Sequence, residues 1–270
     1  MKKVTTILAF FLALATSFGD GGKSDSSEEF RTLTGESATA GNIVDEDGRI
    51  RNVVTPLLHL FRTAAPAPVG TVLLLPGGAY KHLSAVKEGA NTARLLNVRG
   101  FDAVLLEYPV AAGPDTRELA LAATLKAYRL IQTNPSALGL QSGRLGIMGY
   151  SAGGHLAART AQNLTSAEQP TDLILIYPAY LDETRPGSAL PLVTPPAGNP
   201  GRLFVLIAAN DKEVWVKSSR AFADAWQAAQ GTVSYHLLAD GGHGFGLAGE
   251  GPDAAKDWPQ LLGKFLGPQP

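Results

Sequence analysis

The chain has 270 residues, of which 45% are apolar, and a formal net charge of −1. That balance offers no basic field for nucleic acid, while the apolar share is enough to build a sizeable core. With no cysteine present, a disulfide framework, a thiolate metal centre and a lipid-modified N-terminal cysteine are excluded.

The N-terminus opens with Met1-Lys2-Lys3, continues with an apolar run over 4–15 and closes that run with Ala13-Leu14-Ala15. A basic start, a short apolar middle and a small-residue end predict a signal peptide over 1–15, and so an exported protein, periplasmic or extracellular. The run is too short to span a bilayer, so no stable membrane insertion is expected after its removal. Residues 16–48 are rich in Gly, Ser, Asp, Glu and Thr. They show almost no apolar periodicity and read as a flexible polar linker. The remainder, 49–270, suits one domain.

Within it, strand-like and helix-like stretches alternate. Strands are expected over 52–62, with Pro56 suggesting an edge position, then over 71–75, 102–108, 143–148, 173–177, 203–209 and 233–238. Helices are expected over 88–99, closed by Gly100, then over 115–133, 154–161, 216–230 and 260–266, the last preceded by Pro259. The stretch 178–201 holds six prolines and reads as irregular, leaving little or no cap over the domain. Such interleaving predicts an α/β fold, a mainly parallel sheet with helices on both faces. Functional residues then belong in the loops that follow strand C-termini.

One such loop is Gly149-Tyr150-Ser151-Ala152-Gly153, a serine flanked by glycines between a strand and a helix. That is the pattern of a nucleophile elbow, a strained turn that exposes the hydroxyl and needs glycine where the chain passes close to itself. The helix beneath adds free N–H groups and partial positive charge where an oxyanion would form. A serine hydroxyl needs a base, and five histidines are available. His59 and His236 fall within strands and His155 on the helix after the elbow, so structural roles are expected for them. His82 follows a glycine pair and could line a pocket. His243, in the loop Asp240-Gly241-Gly242-His243-Gly244-Phe245-Gly246 after a strand, has the freedom to reach the serine and is the expected base. Asp211, after the strand over 203–209, is the expected orienting acid, with Glu213 and Asp240 as rivals. Pro76-Gly77-Gly78-Ala79-Tyr80 supplies two glycines after another strand. There the N–H groups of Gly78 and Ala79, with that of Ala152, would hold the developing oxyanion.

These motifs resemble those of α/β-hydrolase carboxylesterases of the xylan-esterase type, the acetyl-xylan and feruloyl esterases of bacteria, over about 53–266. The resemblance is carried by Pro76 to Tyr80, the Glu88-Gly89 pair, Gly149 to His155, Asp211 with Val214, and Gly241 to Gly246. Ala79 stands where the family has a third glycine, and Trp215 where proline is common. The resemblance implies the α/β-hydrolase fold, with Ser151 as nucleophile, His243 as base and Asp211 as acid. Gly78, Ala79 and Ala152 would form the oxyanion hole, and Tyr80, His82, Glu88 and Trp215 are the candidate pocket residues.

The function expected is that of a serine carboxylesterase acting on acetyl or feruloyl esters of plant polysaccharide or its oligosaccharides. It would use no metal and no organic cofactor, and its partner would be a small ester or acylated oligosaccharide, not nucleic acid. A small serine peptidase or amidase on the same fold is the alternative enzyme. A non-catalytic binding protein on a hydrolase scaffold is the alternative of another class. Close approach of Ser151 to His243 would count against that last reading.

Overall fold

The computed structural model describes residues 29–53, 55–182, 194–196, 200–247 and 255–267. The expected signal peptide, the first part of the expected linker and most of the proline-rich stretch lie outside them.

Among the described residues nine strands form one sheet in the order β2-β1-β3-β5-β4-β6-β7-β8-β9. Six of them run parallel: β5 (Phe101–Glu107), β4 (Gly70–Leu75), β6 (Leu145–Tyr150), β7 (Asp172–Ile176), β8 (Arg202–Ala208) and β9 (Thr232–Leu238). β3 (Leu57–Phe61) joins β5 antiparallel; β1 (Glu29–Thr32) joins β3, and β2 (Ser37–Ala38) joins β1.

The helices are α1 (Asn91–Val98), α2 (Thr116–Thr133), α3 (Ala152–Asn163), α4 (Glu213–Ala228) and α5 (Trp258–Leu266). The period-two alternation of strand side chains divides the core between the two faces of the sheet. Leu73, Leu75, Ile147, Leu173 and Val205 pack with Tyr128 of α2, Leu156 of α3 and Trp226 of α4. Val72, Leu74, Met148, Ile174 and Phe204 pack on the other face with Leu96 of α1 and Leu262 of α5. Burial on both faces explains why the parallel strands read as continuous apolar runs. No helix among the described residues is long and apolar enough to cross a membrane.

Three sequence expectations are corrected. The linker over 16–48 is not a tether from Glu29 onward: β1 and β2 extend the sheet, Phe30 is buried, and Arg62 pairs with Glu29. Consequently β3 is an inner strand and not an edge. Pro56 precedes it, where its missing N–H removes no ladder hydrogen bond. The helix expected over 88–99 begins as a turn of π-helix, Ala85–Ala90, and is α-helical only over Asn91–Val98.

Candidate active site

Ser151, Asp211, His243 and the Pro76–Tyr80 loop come from four loops that follow β6, β8, β9 and β4 at the C-terminal edge of the parallel sheet. In a parallel sheet all those strand ends open on one side, which is what brings residues so distant in sequence together.

Ser151 sits at φ +50°, ψ −115°, between β6 and the first turn of α3. A backbone so far from the ordinary wells costs on the order of 1–3 kcal/mol and persists only if its surroundings enforce it. They do. Ser151 N–H donates to the Ile176 carbonyl, and the Ser151 carbonyl accepts from the N–H groups of His155 and Ala179. The flanking glycines are required by contact: a Cβ on Gly149 would meet the Gly153 carbonyl oxygen at 2.1 Å. One on Gly153 would meet that of Leu75 at 2.1 Å.

The Ser151 hydroxyl lies 2.7 Å from His243 Nε2, and His243 Nδ1 lies 2.8 Å from Asp211 Oδ2. A carboxylate only accepts, so the Nδ1 proton goes to Asp211 and Nε2 is left to accept from Ser151. The Asp211 side chain is fully buried and also takes the Lys212 N–H on its other oxygen, which fixes its plane. The His243 loop is pinned at both ends. Asn210 accepts from the N–H groups of Gly241 and Gly242 and donates to Asp240. Gly246 donates its N–H to Tyr177 Oη and accepts from Trp258 Nε1. Asp240 is therefore a turn residue. Glu213, the other rival acid, pairs with Lys217 on the exposed surface of α4.

The Pro76–Tyr80 loop is held from three sides. Tyr108 donates to the Pro76 carbonyl, Gly77 donates its N–H to Glu88, and Tyr80 Oη lies 2.7 Å from His155 Nδ1. Gly78 takes φ +133° and the next two residues, Ala79 and Tyr80, take φ +55° and +60°. This run of left-handed backbone is unusual for side-chain-bearing residues. The N–H groups of Gly78, Ala79 and Ala152 have no acceptor among the described residues. The last of them opens α3, at the positive end of its dipole.

The four candidate pocket residues fare unevenly. Glu88 does not line a pocket; it is buried beneath the Pro76–Tyr80 loop, accepting from Gly77 N–H and Tyr177 O–H. Burial pushes its carboxyl pKa up, opposed by those two hydrogen bonds. Tyr80 is also buried, its hydroxyl spent on His155. Burial, assisted by Arg117 and Arg159, lowers the His155 pKa to about 3, so this ring is neutral. Trp215 is 9% exposed. Its ring packs 4.4 Å from that of His243, with Tyr180 at 5.7 Å and Lys212 Nζ at 4.1 Å, so it buttresses His243 more than it offers a free stacking face. His82 is half-buried behind the loop and donates its backbone N–H to the Gly78 carbonyl.

Sequence reasoning missed Tyr177, Asn210 and Tyr108. Tyr177 follows β7 at φ +37°, and only that position directly after a buried strand could have marked it.

The family model described as the alpha/beta hydrolase fold matches residues 72–198. That span holds the Pro76–Tyr80 loop and Ser151 with its flanking glycines, and stops short of Asp211 and His243. An acetylxylan esterase of Xylanibacter ruminicola is 29% identical over 118 residues, 43% of this chain. The match spans only 24% of that relative's length. Among solved structures, an acetyl ester-xyloside bifunctional hydrolase from Caldicellulosiruptor lactoaceticus superposes with a TM-score of 0.67 at 23% identity, covering 87% of this chain and 94% of that one. The carboxylesterase Cest-2923 of Lactobacillus plantarum superposes at 0.66 and 23% identity, covering 80% and 93%. The chain therefore has the α/β-hydrolase fold, and its sequence resembles that of esterases of the xylan-esterase type.

Proposed function

We propose that the protein is an exported serine carboxylesterase that removes acetyl or feruloyl groups from plant polysaccharide or its oligosaccharides. The observation that carries the reading is the file of hydrogen bonds from Ser151 through His243 to buried Asp211, beside three N–H groups with no acceptor among the described residues. The contact between Ser151 and His243 also counts against a non-catalytic scaffold, in which nothing would hold the two together.

In this mechanism Ser151 Oγ bonds to the ester carbonyl carbon as its proton passes to His243 Nε2. The carbonyl oxygen takes up the negative charge and is held by the N–H groups of Gly78, Ala79 and Ala152. Asp211 keeps the imidazole oriented and stabilises its charged form. His243 then returns the proton to the departing sugar oxygen, leaving acyl-Ser151 and the free alcohol. Water adds to the acyl-enzyme as its proton passes to His243; the bond to Ser151 Oγ then breaks, His243 returns the proton to Ser151 Oγ, and the carboxylic acid leaves. The chemistry of the acyl group rests on the resemblance to acetylxylan esterases, and export on the basic-apolar leader.

The test is release of acetate from acetylated xylo-oligosaccharides, compared with release of ferulate from feruloylated ones and of amine from matched acyl amides. Acetate release with little amide cleavage supports the reading. Turnover of amides over esters would replace it with a peptidase or amidase.

A further inference from the structure

Two loops of the site, the one presenting the oxyanion donors and the one presenting His243, meet through a pair of side chains that touch neither reacting atom. Glu88 Oε2 accepts from Gly77 N–H at 2.7 Å, and Glu88 Oε1 accepts from Tyr177 Oη at 2.7 Å. Tyr177 Oη in turn accepts from Gly246 N–H at 3.0 Å. The tyrosine ring then lies edge-on to His243, 5.1 Å between centroids, and to Phe245, 4.6 Å. The three hydrogen bonds among Gly77, Glu88, Tyr177 and Gly246 are buried.

The donor arithmetic is closed. Gly77 and Tyr177 each offer one proton, and each takes one carboxylate oxygen. Gly246 donates to the tyrosine oxygen. These contacts use one oxygen of Glu88 as the acceptor for each loop, so the side chain must point at both loops at once. The turn of π-helix over Ala85–Ala90 carries Glu88 to this place. Such wider turns insert one extra residue and re-aim a side chain, often at functional sites. Gly77 also fits here only without a side chain, since a Cβ would come 2.7 Å from Glu88 Oε2 and 3.0 Å from Ser151 Cβ.

We propose that Glu88 and Tyr177 act together as positioning residues that set the oxyanion loop in register with the His243 loop. The proposal rests on the esterase reading above. The pair acts on the transition state, because only there must the donors of one loop and the imidazole of the other engage the same tetrahedral centre. It leaves ground-state binding of the ester largely alone.

The test is steady-state hydrolysis of an aryl acetate by wild type, Glu88→Gln, Tyr177→Phe and the double variant, with thermal unfolding recorded alongside. Glu88→Gln keeps the shape but sets an amide donor against a donor; Tyr177→Phe removes only the bridging oxygen. Each single change is expected to lower kcat on the order of tenfold to a hundredfold, part of what an oxyanion donor is worth, with KM changed less than about threefold. The double variant should lose no more than the worse single one, since both break the same link. If the losses multiply, or fall on KM instead of kcat, or if Tyr177→Phe is unchanged in kcat, the coupling is wrong while the esterase reading stands. Should Glu88→Gln prove unfolded, Tyr177→Phe decides alone on its kcat-to-KM split. An inert wild type would remove the esterase reading and this proposal with it.

Discussion

Ser151 and His243, 92 residues apart in sequence, meet with Ser151 Oγ 2.7 Å from His243 Nε2. The contact depends on His243 being held from behind by Asp211 Oδ2 at 2.8 Å. Asp211→Asn preserves volume but presents an amide N–H where the imidazole N–H needs an acceptor, which favours the wrong tautomer. The expected loss in kcat on an aryl acetate is on the order of 10⁴-fold, with the fold intact by circular dichroism. A loss below tenfold would show that Asp211 does not orient the base.

Gly78 and Ala79 are neighbours with opposite expectations. A Cβ on Gly78, at φ +133°, would lie 2.0 Å from the His82 carbonyl oxygen. Gly78→Ala must therefore move the loop and its N–H groups, and kcat should drop by on the order of 10²–10³-fold. Ala79 is exposed and already carries a side chain at φ +55°. Ala79→Gly relieves about 1 kcal/mol of left-handed strain but loosens the unfolded chain by nearly as much. Its stability in denaturant should change by less than about 0.5 kcal/mol and its kcat by no more than a few-fold. Equal effects of the two substitutions would contradict this view of the loop.

His155 makes stability depend on pH. In the folded protein burial, with Arg117 and Arg159, holds its pKa at about 3. In the unfolded chain it titrates near the ordinary ~6.5. Between these values the unfolded chain binds a proton that the folded protein does not. This contribution is therefore intact above ~6.5 and is lost as pH falls towards 3, by up to about 1.4 kcal/mol per unit. His155→Gln removes it. Denaturant unfolding at pH 7 and pH 4 should show the variant losing less stability than wild type over that interval. Identical losses would mean that the ring is not buried in neutral form.

Phe30 tests where the folded domain begins. It is 9% exposed in β1, with its ring 4.2 Å from that of His59. Phe30→Ala should cost about 3 kcal/mol if β1 belongs to the sheet, whereas a residue in a solvated tether would cost nothing. Denaturant unfolding distinguishes the two.

The parts of the site legible in the sequence are those encoded by a few consecutive residues. Gly149 and Gly153 are dictated by backbone passing 2.1 Å from where a side chain would begin, and such a demand leaves a mark in the sequence. Asp211 is legible because it follows the strongly apolar β8, and His243 because glycines bracket it shortly after β9. Glu88, by contrast, reads only as a candidate pocket residue at the start of a helix, since nothing local reveals Tyr177, 89 residues on, or the π-turn that directs it inward. β1 and β2 escaped notice because their pairing is made by backbone, under polar side chains, with Phe30 the one residue turned into the core. Composition reports how a segment would behave alone, and an outer strand is stabilised by its neighbour.

The most direct test of the central claim is covalent capture of the nucleophile. The protein is treated with an aryl alkylphosphonate, whose tetrahedral phosphorus mimics the transition state, and its peptides are weighed by mass spectrometry. The account predicts one phosphonyl group on the peptide carrying Ser151, a matching loss of esterase activity, and no label in Ser151→Ala. Label on another residue, or an active protein whose Ser151 stays unmodified, would contradict it.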